Sequence, residues 1–536
     1  MKRSHMVRAL LAGSAIFLSS AAWAQVPEAQ PDASDATADA AIAEAQSLDD
    51  AQAKIELLQA QVEALQESIA QIQAAQAKST PVWKGTPQLE DKEAGWSFKV
   101  RGRIQYNVGY VSNPDDDPNG GLATRNLGFN ARARRIRLGG EGTIPGGFGY
   151  KCEMDFANAA TNFGDCIISY APAGKPFSVD IGNQETNNGL EQITSSRFSS
   201  FIERASFDDA FINTRRLGIN LGYVNSAGDF RIKGGLWTAH SIDSSLDNDG
   251  WIGAARAVYS PLMDGNQLHF GLNFQHREFQ SNNGNNALNS VGAPSSAQLA
   301  RYRARPYSQL TDVRFVDTNN FAAKSDNIIG LEAAGIFKSL HVAAEAQYLK
   351  ANAYDAGDIL KNVDGEDALD QFPGTPTPAA QIVPDGNPSF WGGYFEAGYF
   401  LTGETRGYKN GLWDRTKVLK PFSQGGWGAF QVIGRVDYLD LDSNKLHEGC
   451  SNNFLTGVCT ASTNYTRGGK QLGLLAGLTW IPEDYMRILL NYSHAFVSGG
   501  PFVDEVEGDS TLVGNPDAKD VDYGVDAVQM RFQIDF

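Results

Sequence analysis

Beyond its first two dozen residues, this 536-residue chain has no stretch near the roughly 18 consecutive apolar residues that a spanning helix needs. That excludes a helical membrane protein. Cysteine is scarce: four residues fall in two close pairs, Cys152 with Cys166 and Cys450 with Cys459, and neither has the C-x-x-C spacing of a zinc or redox site. The seven histidines are scattered, with Ser493-His494 the one adjacent pair of note. No G-x-S-x-G, H-E-x-x-H or phosphate loop occurs, so no enzyme activity, metal or cofactor is expected. A hydrolase would need Ser or Thr and His brought together by folding alone. No nucleic-acid partner is expected either.

What is present begins with a secretory pattern. Lys2, Arg3 and Arg8 precede a short apolar core, Ala9 to Phe17, and Ala22-Trp23-Ala24 is a small-x-small cleavage site, so residues 1–24 read as a signal peptide. Residues 25–47, rich in Ala, Asp, Gln and Pro, read as a flexible tether. Next, Leu48, Ala51, Ile55, Leu58, Val62, Leu65, Ile69 and Ile72 recur at alternating spacings of three and four. That heptad seam predicts a periplasmic coiled coil over 48–76, the alternative being a lone helix against a barrel base. Pro81, Pro87 and Gly95 mark a linker, 77–96.

From Trp96 onward the period falls to two. Phe98, Val100, Gly102, Ile104 and Tyr106 alternate with Lys99, Arg101, Arg103 and Gln105, and the final run pairs Val528 to Phe536 with Gln529, Arg531, Gln533 and Asp535. Lipid on one face and water on the other demand this alternation. Sixteen such segments are recognisable between 97 and 536. An all-β, sixteen-stranded antiparallel transmembrane β-barrel over 97–536 follows, both ends of the chain on one side. Long polar loops are expected at 112–128, 185–216, 280–324, 355–387, 443–468 and 499–520. One long connection, 404–426, falls among the short turns.

The net charge of −17 says little about a pore, because the segment 25–80 alone contributes −8 and much of the remaining acid lies in apparent loops. Facing parity instead puts Lys99, Arg101, Arg103, Arg135, Arg137, Lys151, Arg231 and Lys233 in the lumen, against Glu141, Glu153, Asp155, Asp165 and Asp180. A charged, low-dielectric wall concentrates counter-ions, and arginine forks suit phosphate and carboxylate oxygens. Two readings stay open: a ladder for anions, or a mixed lining whose charges satisfy one another. Loop 185–216 carries Arg197, Arg204, Arg215 and Arg216 and is a candidate constriction; an outer lid or a subunit-contact loop is the alternative. Cys152 and Cys166 share a facing in a hairpin and Cys450 with Cys459 would staple one loop, so two structural disulfides are expected, with two free buried pairs as the alternative.

Several segments in order resemble the phosphate-selective porin O and P family: ARRIRLGGEG at 133–142, GFGYKCEMDFA at 147–157, GNQETNNGLEQITSS at 182–196 and FIERA at 201–205. In the C-terminal half, YFEAGYFLTGETRGYK at 394–409, GWGAFQVIGRVDYLDL at 426–441 and GLTWIPEDYMRILLNYSHA at 477–495 do the same. The resemblance implies a trimeric outer-membrane porin with basic side chains guiding phosphate or polyphosphate. Carried over by residue, it supports Arg134, Arg135, Arg137 and Lys151. Glu185 and Asn187 stand where the family commonly has lysine and proline. Expected partners are outer-membrane lipid and lipopolysaccharide, small anionic solutes and, since Phe536 resembles the aromatic-terminated signal of such strands, the barrel-assembly machinery. A weakly selective or carbohydrate-type porin and a structural envelope tether are the competing functions.

Overall fold

The computed structural model describes residues 55–70, 82–83, 85–91, 93–115, 117, 122, 125–157, 161–211, 214–239, 242, 250–279, 299–359, 380–454 and 456–536. The expected signal peptide, the tether and the ends of the expected coiled coil lie outside these residues. Residues 55–70 form a helix exposed on every side, including Ile55, Leu58, Val62, Leu65 and Ile69 of the heptad seam.

Sixteen strands make the barrel. They are β1 (Trp96–Val111), β2 (Gly128–Ile144), β3 (Phe148–Asp155), β4 (Asn162–Tyr170), β5 (Phe177–Gln184), β6 (Arg216–Val224), β7 (Phe230–Thr238) and β8 (Trp251–Tyr259). Then follow β9 (Asn266–Glu278), β10 (Phe321–Phe337), β11 (Leu340–Ala353), β12 (Ser389–Phe400), β13 (Ala429–Asp440), β14 (Lys470–Glu483), β15 (Met486–Ser498) and β16 (Asp522–Asp535). Each pairs antiparallel with the next, and β16 closes on β1 from Ala527↔Val111 to Asp535↔Arg103. Every expected strand is found, and the closed, all-β, sixteen-stranded architecture is as the alternation predicts.

The alternation also decides what each face meets. On β16, Phe532 is 44% exposed and Ile534 48%, whereas Arg531, Gln533 and Asp535, which alternate with them, are buried. Outward side chains form an apolar surface of Tyr106, Leu138, Ile168, Leu221, Leu272, Leu331 and Phe395 among others. A closed barrel leaves no strand edge unpaired, which is the condition for backbone in lipid.

Both barrel ends of the chain, Trp96 and Asp535, lie at one rim, the near rim. Turns there are tight: Asp264 and Gly265 both take positive φ (51° and 77°), the geometry of a two-residue hairpin loop. Cys152 lies directly opposite Cys166 in the β3–β4 register and is joined to it on the outer face. Cys450 and Cys459 are joined across a hairpin of strands Glu448–Asn453 and Val458–Thr463 at the far rim.

The long near-rim connection is not a turn. Its middle forms a small hairpin, Gly407–Lys409 with Leu412–Asp414, that enters the barrel. Arg256 of β8 donates to Gly411 O (3.2 Å), Arg231 of β7 to Asn410 Oδ1 (3.2 Å), and the Tyr408 hydroxyl lies 2.6 Å from His269 Nδ1 of β9. Its excess length over its sister turns is the insertion itself.

Candidate functional site in the barrel lumen

The described residues of loop 185–215 fold inward from the far rim and cross the lumen. Four neighbouring strands, β10 to β13, offer the lumenal carboxylates Glu332, Glu345, Glu396 and Asp437, beside Asp326 of β10, which Arg277 holds (2.7 Å). Three of them hold the loop. Glu345 accepts from the Leu190 and Glu191 amides (2.6 and 2.8 Å) and from Tyr394 Oη (2.7 Å). Glu396 accepts from Ser200 Oγ (2.6 Å) and is paired with Arg435, and Asp437 accepts from the Ser206 amide, from Ser206 Oγ and from Tyr307 Oη. Arg487 of β15 donates to the Arg197 and Ser199 carbonyls (2.7 and 3.1 Å). Glu332 instead takes a two-point contact from Arg256 (2.8 and 2.6 Å) and a bond with His269. The acid of this wall is therefore consumed by amides, hydroxyls and arginines, since buried carboxylates need such partners.

The opposite wall is basic, and a backbone irregularity makes it more so. Gln105 pairs with Arg135 but Tyr106 pairs with Ala133, leaving Arg134 as the extra residue of a β-bulge. Parity resets there, so Arg132, Arg134, Arg135 and Arg137 all turn inward from one strand. Arg134 reaches Glu203 of the inserted loop (3.2 Å), and Arg132 donates to Gln309 O (2.9 Å). Glu203 also receives Arg531 (3.0 Å). Burial lifts the Glu203 carboxyl, but Arg134, Arg531 and Arg135 more than reverse this and hold it at about 2.

The main cavity inside the barrel measures about 780 Å³. Twelve basic side chains line it: Arg101, Arg103, Arg135, Arg137, Lys151, Arg197, Arg204, Arg215, Arg231, Lys233, Arg256 and Lys409. Five acids face them: Glu153, Asp165, Asp180, Glu185 and Asp414. A second cavity of about 240 Å³ lies on the far-rim side of the loop and shares Arg135, Ser196 and Arg204 with the first. These three mark the narrowing between the two spaces. A near-rim vestibule is lined by Lys99, Glu141, Lys151 and Asp180.

The expected residues thus separate by neighbourhood. Arg101, Arg103 and Arg137 converge on Glu153 (3.4, 3.4 and 2.9 Å), and Arg137 also grips Asp155 (2.7 Å). Lys151 and Arg215 share Asp165; Arg215 adds Glu185 (3.0 Å), and Lys233 holds Asp180 (3.0 Å). Burial lowers the Arg215 pKa, but Glu185 and Asp165 outweigh it, so the pair of carboxylates keeps that guanidinium firmly charged. Among the described residues, Arg135, Arg204 and Arg231 meet no carboxylate. Arg135 donates to Gln105 Oε1 (2.9 Å), Arg204 to its own loop's carbonyls at Glu191, Gln192 and Thr194, and Arg231 to Gly228 O and Asn410. Lys99 belongs to the vestibule and not to the main chamber.

Arg197 lies 3.8 Å from Asp535 and lines the chamber. Arg216 is corrected: it is the first residue of β6, opposite Gln184, and not part of the inserted loop, because the β5–β6 ladder runs one residue further than the polar pattern suggested. Arg132, Arg256, Arg305, Arg314, Arg406 and Arg415 escaped sequence reasoning. Arg132 is hidden by the bulge, and the other five depend on contacts between segments far apart in the chain.

A family model described as phosphate-selective porin O and P matches residues 98–536. An uncharacterized protein of Caulobacter vibrioides is 34% identical over 472 residues, covering 86% of this chain and 78% of its own. Porin O of Pseudomonas aeruginosa is 22% identical over 426 residues, 77% of this chain and 86% of its own. Among solved structures, an anion-selective porin from Comamonas acidovorans aligns with 82% of this chain and 100% of its own, at 14% identity and a TM-score of 0.43. With the match running from the first barrel strand to Phe536, the chain belongs to the phosphate-selective porin O and P family.

Proposed function

We propose that this outer-membrane porin passes small anions, phosphate-like ones among them, by passive diffusion. The excess of basic over acidic groups in the main chamber, twelve against five, carries this reading. The opposing wall adds little negative charge to the water-filled path, because Glu345, Glu396 and Asp437 are committed to the inserted loop. Arg135 and Arg204 stand at the narrowing with neutral partners and no carboxylate among the described residues, so a passing anion meets guanidinium charge that no acid answers. Reversal potentials across planar bilayers under a potassium chloride gradient test this. Chloride preference at neutral pH is the expected result, and potassium preference would sink the reading.

A weakly selective pore is the second reading. It rests on Glu185 and Asp165, which neutralise Arg215 where the family commonly has a lysine at position 185. Block of chloride current by phosphate at concentrations that leave it unaffected by oligosaccharide favours the first reading over this one.

The near rim, with both barrel ends of the chain, faces the periplasm in this proposal, after removal of residues 1–24. The exposed seam Ile55, Leu58, Val62, Leu65 and Ile69 packs between copies of the chain in a homotrimer. Deleting 48–76 should weaken oligomer stability while sparing single-channel conductance. Loss of envelope attachment without loss of oligomer would favour a tether instead.

A further inference from the structure

The main chamber is not uniformly polar. Alongside its basic groups it carries Ile193 and Phe198 from the far-rim insertion and Leu412 and Trp413 from the near-rim hairpin. These four are neighbours. The short helix Leu190–Ile193 abuts Leu412–Asp414, and Arg406, just before the hairpin, donates to Phe198 O (2.6 Å). Guanidinium groups lie over the aromatic rings: Arg197 and Arg415 lie 5.1 and 5.3 Å from the Phe198 ring centroid, and Arg406 lies 4.9 Å from that of Trp413. What stays uncovered is hydrocarbon. Ile193, Phe198 and Leu412 are only half-buried although they lie inside the barrel, where lumen water is the sole solvent.

Leaving apolar surface in lumen water is unfavourable, and hydrated inorganic ions gain nothing from it. Packing for stability alone would bury these side chains fully, as Leu190, Phe201 and Phe207 of the same loop are buried. A cavity of about 780 Å³ that sets an apolar shelf beside an excess of cationic groups has instead the make-up of an organic-anion site.

We propose that the chamber admits organic anions, an acidic head on a compact aryl or short alkyl body, and holds them briefly in transit. The head sits toward Arg231, which meets no carboxylate among the described residues and is bonded to Asn410 of the hairpin, and the body rests on the Ile193, Phe198 and Leu412 shelf. This rests on the anion reading of the same chamber.

Methanesulfonate and benzenesulfonate have the same fully ionised head and differ only in the body, so they isolate the shelf. Chloride current through the purified full-length porin in planar bilayers is titrated with each. Benzenesulfonate should half-block the current at roughly tenfold lower concentration than methanesulfonate. Leu412→Asn should narrow that gap to about twofold. Equal block by the two in a chloride-selective wild-type pore overturns the inference and leaves the parent reading standing. A gap that persists undiminished in Leu412→Asn and in Ile193→Asn overturns the assignment of the body to this shelf. A potassium-selective pore overturns the parent reading and the inference with it.

Discussion

Arg135 and Arg137 are two residues apart on one strand and face one lumen, yet they are expected to behave differently. Arg137 is tied to Glu153 and Asp155, so its charge is mostly answered. Removing it leaves Asp155 without its cationic partner and Glu153 with only Arg101 and Arg103, and losing one member of a buried pair costs up to about 3–5 kcal/mol. Arg137→Gln should therefore lower resistance to urea unfolding, read by tryptophan fluorescence in detergent. Arg135 has an amide partner and no acid among the described residues. Arg135→Gln should leave that unfolding midpoint nearly unchanged and reduce chloride-over-potassium permeability by about threefold or more, since it deletes a charge at the narrowing. If the two variants lose selectivity equally, the distinction between answered and unanswered arginines is wrong.

At the scale of elements, the inserted loop is held by three carboxylates of the facing wall, Glu345, Glu396 and Asp437. Alternation locates every strand, because lipid and water impose one rule on all sixteen. It also finds the basic residues of β1 and β3, where that rule is unbroken. It misassigns nothing on β2 from Arg135 to Ile144, but the bulge at Arg134 reverses parity for Arg132, which no local pattern announces. That Glu345 and Asp437 serve loop amides more than a hundred residues away could not be read from either segment alone. Glu345→Ala removes two amide contacts and one from Tyr394, so the loop should loosen and single-channel current become larger and noisier. Unchanged conductance and noise would mean that the remaining ties suffice.

Glu203 adds a pH test of the same element. Its folded pKa of about 2 lies below the usual value of ~4.3 for glutamate. Its stabilising contribution is therefore complete above the unfolded value and is lost as pH falls through about 2. The tie to Arg134 and Arg531 should persist at pH 4, so any change in loop-related current noise between pH 7 and pH 4 should be the same with or without the Glu203 carboxylate. Glu203→Gln, which cannot ionise, should raise the noise at both. A rise in wild-type noise between pH 7 and pH 4 that Glu203→Gln lacks would contradict this placement.

For the whole molecule, the division of labour is between walls that carry charge and insertions that set width. The strands supply most of the chamber's basic groups: Arg101, Arg103, Arg135, Arg137, Lys151, Arg231, Lys233 and Arg256. The near-rim hairpin supplies one, Lys409, together with the acid Asp414, and otherwise fills space. In the sequence this segment shows only as a connection too long for its rim, and its role becomes visible once Gly411 is seen against Arg256 and Val258. If width and charge are separable, replacing residues 405–417 with a short glycine-containing turn should raise single-channel conductance by about twofold or more while chloride remains preferred. Arg256 would keep its two-point hold on Glu332, so β8 should not unfold for want of Gly411. A variant that conducts more but prefers potassium would place the selectivity in the hairpin, and with it the charge argument drawn from the strands would fall.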